Sequence, residues 1–174
     1  DRVKSDEDVF TLKYFAETIN WLGFASVTVL DPHSTVSEAL FDNIIIKTPK
    51  ENIAKVIDEI GEENLMMFYP DEGAMKRYSA LADKPFAFGI KKRDWATGKI
   101  KGLDVSGATE MIEGSRVLIV DDICSKGGTF YHSAKRLKEL GAAEVYLYVS
   151  HCENSILQGE VLTSVLIETV FTTD

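Results

Sequence analysis

Apolar residues recur along this chain with two alternating rhythms, one helical and one of short unbroken runs. Val9, Leu12, Phe15, Ala16, Ile19 and Leu22 share a helical face, with the capping sequence Ser5-Asp6-Glu7-Asp8 ahead of them and Gly23 closing the helix. Short apolar runs at 27–30 and 44–46 predict strands. Pro49 opens a second helix with Ile53, Val56, Ile57 and Ile60 on one face, and Gly61 stops it. The run 65–69 predicts a strand that delivers Pro70-Asp71-Glu72-Gly73 to a helix reaching Ala82. A strand over 86–90 leads into Lys91-Lys92-Arg93, and the polar stretch with Gly98 and Gly102 predicts a loop or hairpin. A strand at 117–120, a helix over 129–140 capped by Gly141, and strands at 145–149 and 166–171 complete the pattern. Met66, Met67, Phe68, Phe86 and Phe88 fall within strand runs and are expected in the core.

Strands alternating with helices at this spacing predict an α/β fold, a doubly wound, mostly parallel sheet flanked by helices. In such sheets the ligand crevice lies at the carboxyl ends of the strands. Polar residues recur at those ends: Asp31 and His33, Asp71, Lys91 and Arg93, Asp121 and Asp122, and His151. The 174 residues make one ordinary domain, or one domain plus an appendage, and 45% apolar residues suffice for a core. With 19 basic and 28 acidic residues the formal charge is −9, which argues against nucleic acid or an anionic membrane as partner. Cys124 and Cys152 give neither a CxxC site nor a disulfide framework, so a reduced, cytoplasmic setting is expected. Cys124 has no histidine beside it to activate a thiolate and reads as a small buried filler. No apolar run approaches membrane-spanning length. The chain opens on Asp1 without a methionine and reads as a fragment or a processed chain.

The richest segment is Val117-Leu118-Ile119-Val120-Asp121-Asp122-Ile123-Cys124-Ser125-Lys126-Gly127-Gly128-Thr129. A buried strand leads through two carboxylates to a glycine-rich loop and a helix N-terminus, where backbone N–H groups favour anions. Ser125 and Thr129 add hydroxyl donors, and the glycines permit close approach. Two acids ahead of the loop would repel a bare phosphate but suit hydroxyl groups or a phosphate-bound metal, so the segment points to a sugar phosphate. It is not a Walker A loop, whose Gly-x-x-x-x-Gly-Lys-Ser/Thr is absent. Read without other context, Lys91 to Arg93 could equally be a solvated charge run, and Asp71 could be a helix N-cap.

The loop resembles the phosphoribosyl-diphosphate (PRPP) loop shared by phosphoribosyltransferases and PRPP synthetases. The other strand ends resemble the ribose-phosphate diphosphokinase (PRPP synthetase) family in order. Asp1-Arg2 is similar to the end of its Arg-Gln-Asp-Arg motif, Asp31-Pro32-His33 to Asp-x-His, and Pro70-Asp71-Glu72-Gly73 to Pro-Asp-x-Gly. Lys91-Lys92-Arg93 is similar to its Lys-Arg-Arg, and Ser150-His151 to its Thr-His. The resemblance implies a phosphoribosyltransferase-like domain over 1–174, corresponding to the C-terminal half of a PRPP synthetase whose N-terminal half is absent. It implies transfer of the diphosphoryl group of ATP to the 1-hydroxyl of ribose 5-phosphate, giving PRPP and AMP with Mg2+ as cofactor.

Carried over by residue, Asp121 and Asp122 would accept hydrogen bonds from the ribose hydroxyls. Ser125, Lys126, Gly127, Gly128 and Thr129 would hold the 5-phosphate. Lys91 and Arg93 would be catalytic, Arg2 and His33 would contact ATP, and His33, Asp71 and Asp31 would be associated with the metal. Lys126 stands where the family usually has Thr. The run 35–41 keeps only a terminal aromatic of the family's nucleotide and subunit-contact segment. The full-length protein is expected to be a homo-oligomer, and the fragment to bind ribose 5-phosphate but turn over poorly. Two rival readings share the loop: a phosphoribosyltransferase that consumes PRPP, and a non-catalytic regulatory subunit.

Overall fold

The protein's structure is a computed structural model that describes residues 8–93 and 100–174, with 91–93 and 100–102 described by backbone alone. The expected capping sequence at 5–8 begins outside the described residues, as do Arg2 and Gly98. The chain divides into two compact units, Asp1–Pro49 and Lys50–Asp174.

The first unit carries α1 (Thr11–Trp21), β1 (Val27–Leu30), α2 (Val36–Leu40) and β2 (Ile44–Lys47). β1 and β2 pair in parallel from Val27↔Ile44 to Leu30↔Lys47. Asn20 ties the end of α1 to the turn after α2: its amide donates to the Leu40 carbonyl at 2.8 Å and accepts from the Asp42 N–H at 2.9 Å. Ala16 is the buried residue of α1, and Phe15 meets Phe41 edge-on at 6.0 Å. The short helix α2 was not among the sequence expectations.

The second unit holds α3 (Lys50–Ile60), β3 (Leu65–Tyr69), α4 (Glu72–Tyr78), β4 (Phe86–Arg93), β5 (Ile100–Gly107), β6 (Arg116–Cys124), α5 (Gly128–Glu139), β7 (Glu144–Cys152) and β8 (Val170–Thr172). The six strands lie in the order β5-β4-β3-β6-β7-β8, parallel throughout except for β5, which runs antiparallel to β4. The expected doubly wound α/β fold is present. Because side chains alternate across a strand, β3 sends Met67 and Tyr69 to one face and Met66 and Phe68 to the other. The first face packs with Leu118 and Val120 of β6 on Ile53, Val56 and Ile57 of α3 and Ala74 and Tyr78 of α4. The second packs with Val117 and Ile119 on Phe130, Ala134 and Leu137 of α5. Both faces being covered explains why β3 and the start of β6 read as unbroken apolar runs.

Several boundaries differ from expectation. α4 ends at Tyr78, not Ala82. The last strand is Val170–Thr172 rather than 166–171, since pairing with β7 spans only Leu147 to Val149. The expected hairpin is present in the antiparallel pairing of β4 with β5, and Leu103 and Val105 of β5 pack on the core. β6 and β7 run on to Cys124 and Cys152, so Asp121 and Asp122 are strand residues and not loop residues. Among the described residues no helix is long and apolar enough to cross a membrane.

Candidate functional site

The strand order reverses between β3 and β6: from β3 the chain winds outward to β4 and β5, and from β6 outward the other way to β7 and β8. Their carboxyl ends form the switch point, where open α/β sheets bind ligands. β3 brings Pro70 and Asp71 there; β6 brings Asp121 and Asp122. Asp71 is the N-cap of α4, its Oδ1 accepting from the Ala74 N–H at 3.1 Å. Gly89 of β4 runs so close to this turn that a Cβ would come within 2.6 Å of the Pro70 carbonyl oxygen.

The two adjacent aspartates have different surroundings. Asp122 is buried and its Oδ2 lies 3.2 Å from Nη1 of Arg77, near the end of α4. Arg77 also donates to the Tyr78 hydroxyl and stacks over that ring, 4.7 Å from its centre. The Asp121 carboxyl is pushed up to about 8, first by burial and then by the negative charge of Asp122, with Asp71 adding a smaller push. Asp121 therefore holds its proton more tightly than an ordinary aspartate, and a protonated carboxyl can both donate to and accept from a sugar hydroxyl.

That shift has a measurable sign. A carboxyl that is easier to protonate folded than unfolded contributes stability below its unfolded pKa, near 3.9, and loses it as pH rises towards 8. Thermal melts from pH 4 to 8 should show the unliganded chain losing stability with rising pH more steeply than Asp121→Asn. Parallel curves would remove Asp121 as the cause.

After β6 the chain turns through Ser125, Lys126 and Gly127 into α5. Gly127 has φ 77 and is the residue before the helix. Its position is crowded as well as left-handed, since a Cβ would overlap the Val161 side chain and lie 3.4 Å from Cys124 Sγ. Behind the loop sits the segment that follows β7. Gly159 lies against the Lys126 carbonyl, where any Cβ would overlap the oxygen and come within 2.8 Å of the carbon. The Glu153 N–H donates to the Cys124 carbonyl at 2.8 Å. Ser125 Oγ is 2.9 Å from Ser155 Oγ, and Ser155 donates to Glu153 Oε2 at 3.0 Å. Cys124 is fully buried and its thiol is pushed up to about 12, chiefly by burial, as expected of a filler and not a nucleophile. It lies opposite Cys152 in the β6–β7 register, and both are free thiols.

The second unit thus brings together Asp71, Asp121, Asp122, Ser125, Lys126, Gly127, Gly128 and Thr129. Lys91 and Arg93 extend β4, paired with Leu103 and Ile100 across a bulge between Lys92 and Arg93; their side chains lie outside the described part. Asp31 and His33 follow β1 in the first unit: Asp31 is buried with φ 44, and His33 is exposed. Among the described residues no three His, Cys, Asp or Glu side chains converge as a metal cage. Asp71 and Asp121 are nevertheless close enough for one charge to act on the other. Magnesium needs only one or two protein carboxylates, with waters and substrate phosphates completing its shell, and this donor set fits it. Sequence reasoning missed Arg77, Glu153, Ser155, Gly159 and Val161. Each acts across 30 or more residues of chain or lies after β7, where no local motif marks it.

The chain matches the family model described as phosphoribosyl transferase domain over residues 37–165. It is 32% identical over 174 residues to a ribose-phosphate pyrophosphokinase of Marinomonas sp., covering 94% of this chain and 51% of that protein. A ribose-phosphate pyrophosphokinase of Hyphomonas neptunium is 30% identical over 187 residues, covering 99% of this chain and 56% of that protein. The chain spans about half the length of these curated relatives. Among solved structures, the phosphoribosylpyrophosphate synthetase from Mycobacterium smegmatis superposes with a TM-score of 0.68 at 21% identity, covering 84% of this chain and 47% of that one. At that identity the likeness is one of fold.

Proposed function

Because the chain belongs to the phosphoribosyl transferase domain family, we propose that residues 1–174 are the C-terminal half of a ribose-phosphate pyrophosphokinase, which makes PRPP and AMP from ATP and ribose 5-phosphate. One observation carries this reading: a carboxylate pair and an anion-type loop share one strand end at the sheet's switch point, beside Asp71. Asp121 and Asp122 engage the ribose hydroxyls, and residues 125–129 hold the 5-phosphate against the N-terminus of α5. The Arg77 ion pair holds Asp122 in place. Lys126 adds a cation to the loop, and its side chain is exposed, free to reach a phosphate.

The 1-hydroxyl attacks the β-phosphorus of ATP. The bond from that phosphorus to the α,β-bridging oxygen breaks, AMP leaves, and the hydroxyl proton is lost. Lys91 and Arg93, on the strand neighbouring Asp71, neutralise charge developing on the transferred group. Asp71, Asp31 and His33 are the candidate holders of magnesium, which when bound neutralises the ATP phosphates. Arg2 and His33 are the candidate ATP contacts. The full-length protein is read as a cytoplasmic homo-oligomer.

The test uses the full-length parent, assayed for AMP from ATP plus ribose 5-phosphate, with binding followed by calorimetry. AMP should form, and Asp121→Ala should weaken ribose 5-phosphate binding about tenfold, the loss of one or two hydrogen bonds. Folded parent that makes no AMP, or that releases pyrophosphate from PRPP plus a base, overturns the reading.

A further inference from the structure

The 5-phosphate loop contains a hydroxyl already engaged elsewhere. Ser155 donates its single proton to Glu153 Oε2 at 3.0 Å, so at its 2.9 Å contact with Ser125 it can only accept. The single proton of Ser125 is therefore engaged by the Ser155–Glu153 pair and not by the loop. Glu153 feels both hydroxyls: its carboxyl is held below the usual range, first by the hydrogen bond from Ser125 and then by that from Ser155. An anion arriving in the loop needs donors, and lone pairs repel it.

We infer that Glu153 is a positioning residue that, together with Ser155, holds the Ser125 hydroxyl turned away from the phosphate loop and so restrains binding of the 5-phosphate. Phosphate binding requires Ser125 to rotate and break this chain. The negative charge of Glu153, linked to a loop residue by two hydrogen bonds, opposes the same event. Lys126 supplies charge of the other sign from the same loop. Loop affinity is thus set by a competition between a carboxylate fixed in the chain and the incoming phosphate. The inference rests on the proposed ribose 5-phosphate site and adds to it a residue that the loop motif does not contain.

The test is calorimetric titration of the chain, Glu153→Gln and Ser155→Ala with ribose 5-phosphate and, separately, with inorganic phosphate. Glu153→Gln keeps the side chain's length and removes the charge; Ser155→Ala keeps the charge and removes the hydroxyl that bonds both partners. Each should tighten binding of both ligands about threefold, the modest effect due to hydrogen bonds in contact with solvent. The double variant should gain little beyond either single one, because both interrupt one chain. A purely supporting role predicts the reverse, weaker binding as the loop loses its brace. If the unaltered chain binds ribose 5-phosphate and both variants bind it equally or more weakly, this inference falls and the functional reading stands. If the unaltered chain binds no ribose 5-phosphate, the functional reading falls, and the inference with it.

Discussion

Gly159→Ala is expected to weaken ribose 5-phosphate binding about a hundredfold, although the residue lies thirty positions beyond the loop. Its backbone, φ −100 and ψ 179, is one that alanine adopts freely, so no conformational penalty is involved. The effect is steric. The added methyl would occupy the space of the Lys126 carbonyl, and backbone cannot give way as a flexible side chain can. Either the loop moves outward or residues 154–161 lift from it. In both cases the loop's N–H groups lose their alignment, and forfeiting one or two hydrogen bonds to a charged phosphate, about 1.5–3 kcal/mol each, amounts to about two powers of ten in affinity. Overpacking should also lower stability by about 1–3 kcal/mol. Calorimetry with ribose 5-phosphate and a thermal melt separate the two effects. Unchanged affinity would mean that the segment after β7 does not set the loop's position.

The second large effect concerns Asp122. Arg77→Ala leaves a carboxylate at 4% exposure without its guanidinium, next to Asp121 and near Asp71. Breaking a fully buried pair costs about 3–5 kcal/mol; with Arg77 partly exposed, about 2–3 kcal/mol is expected near pH 7.5. The sign with pH follows from the charge removed. Without the cation the carboxylates of the pair ionise less readily in the folded chain, so the variant's deficit is largest where the unaltered chain's pair is ionised and shrinks as falling pH protonates it. Arg77→Lys should recover only part of the loss, since an ammonium cannot reproduce the guanidinium's contacts with both Asp122 and Tyr78. Denaturant melts at pH 4.5 and 7.5 test both statements. A deficit independent of pH would point to lost packing against Tyr78 rather than to the lost ion pair.

Much of this fold could be read from the sequence because its central strands are buried on both faces. Met66 to Tyr69 and Val117 to Val120 are apolar without interruption, and Gly61 and Gly141 stop their helices in left-handed conformations. β5 was legible only as one arm of a hairpin or as loop, because Leu103 and Val105 alternate with Gly102, Asp104 and Ser106, and such short alternation among glycines and charges does not distinguish the two. The carboxylate pair and glycine loop were also legible, since a strand end followed by glycine is a local signal. Their supports were not. Arg77 lies 45 residues from Asp122, and Ser155 30 from Ser125; nothing near either residue announces its partner. Asp71 was ambiguous for a different reason. It caps α4 directly after the end of β3, so a single residue carries the signals of a helix start and of a strand end at once.

The contact between Gly159 and the Lys126 carbonyl has a practical consequence for protein engineering. Residues 125–129 are not a cassette. Transplanting them into a related sheet, or replacing them with a relative's version, would carry over the ligand-facing groups and leave behind the surface on which they were moulded. The transferable module is the pair of segments, 121–129 with 153–161, joined through the last pairing of β6 and β7. Chimaeras that exchange both should keep a working loop, and those that exchange one should carry a mismatched seam between them.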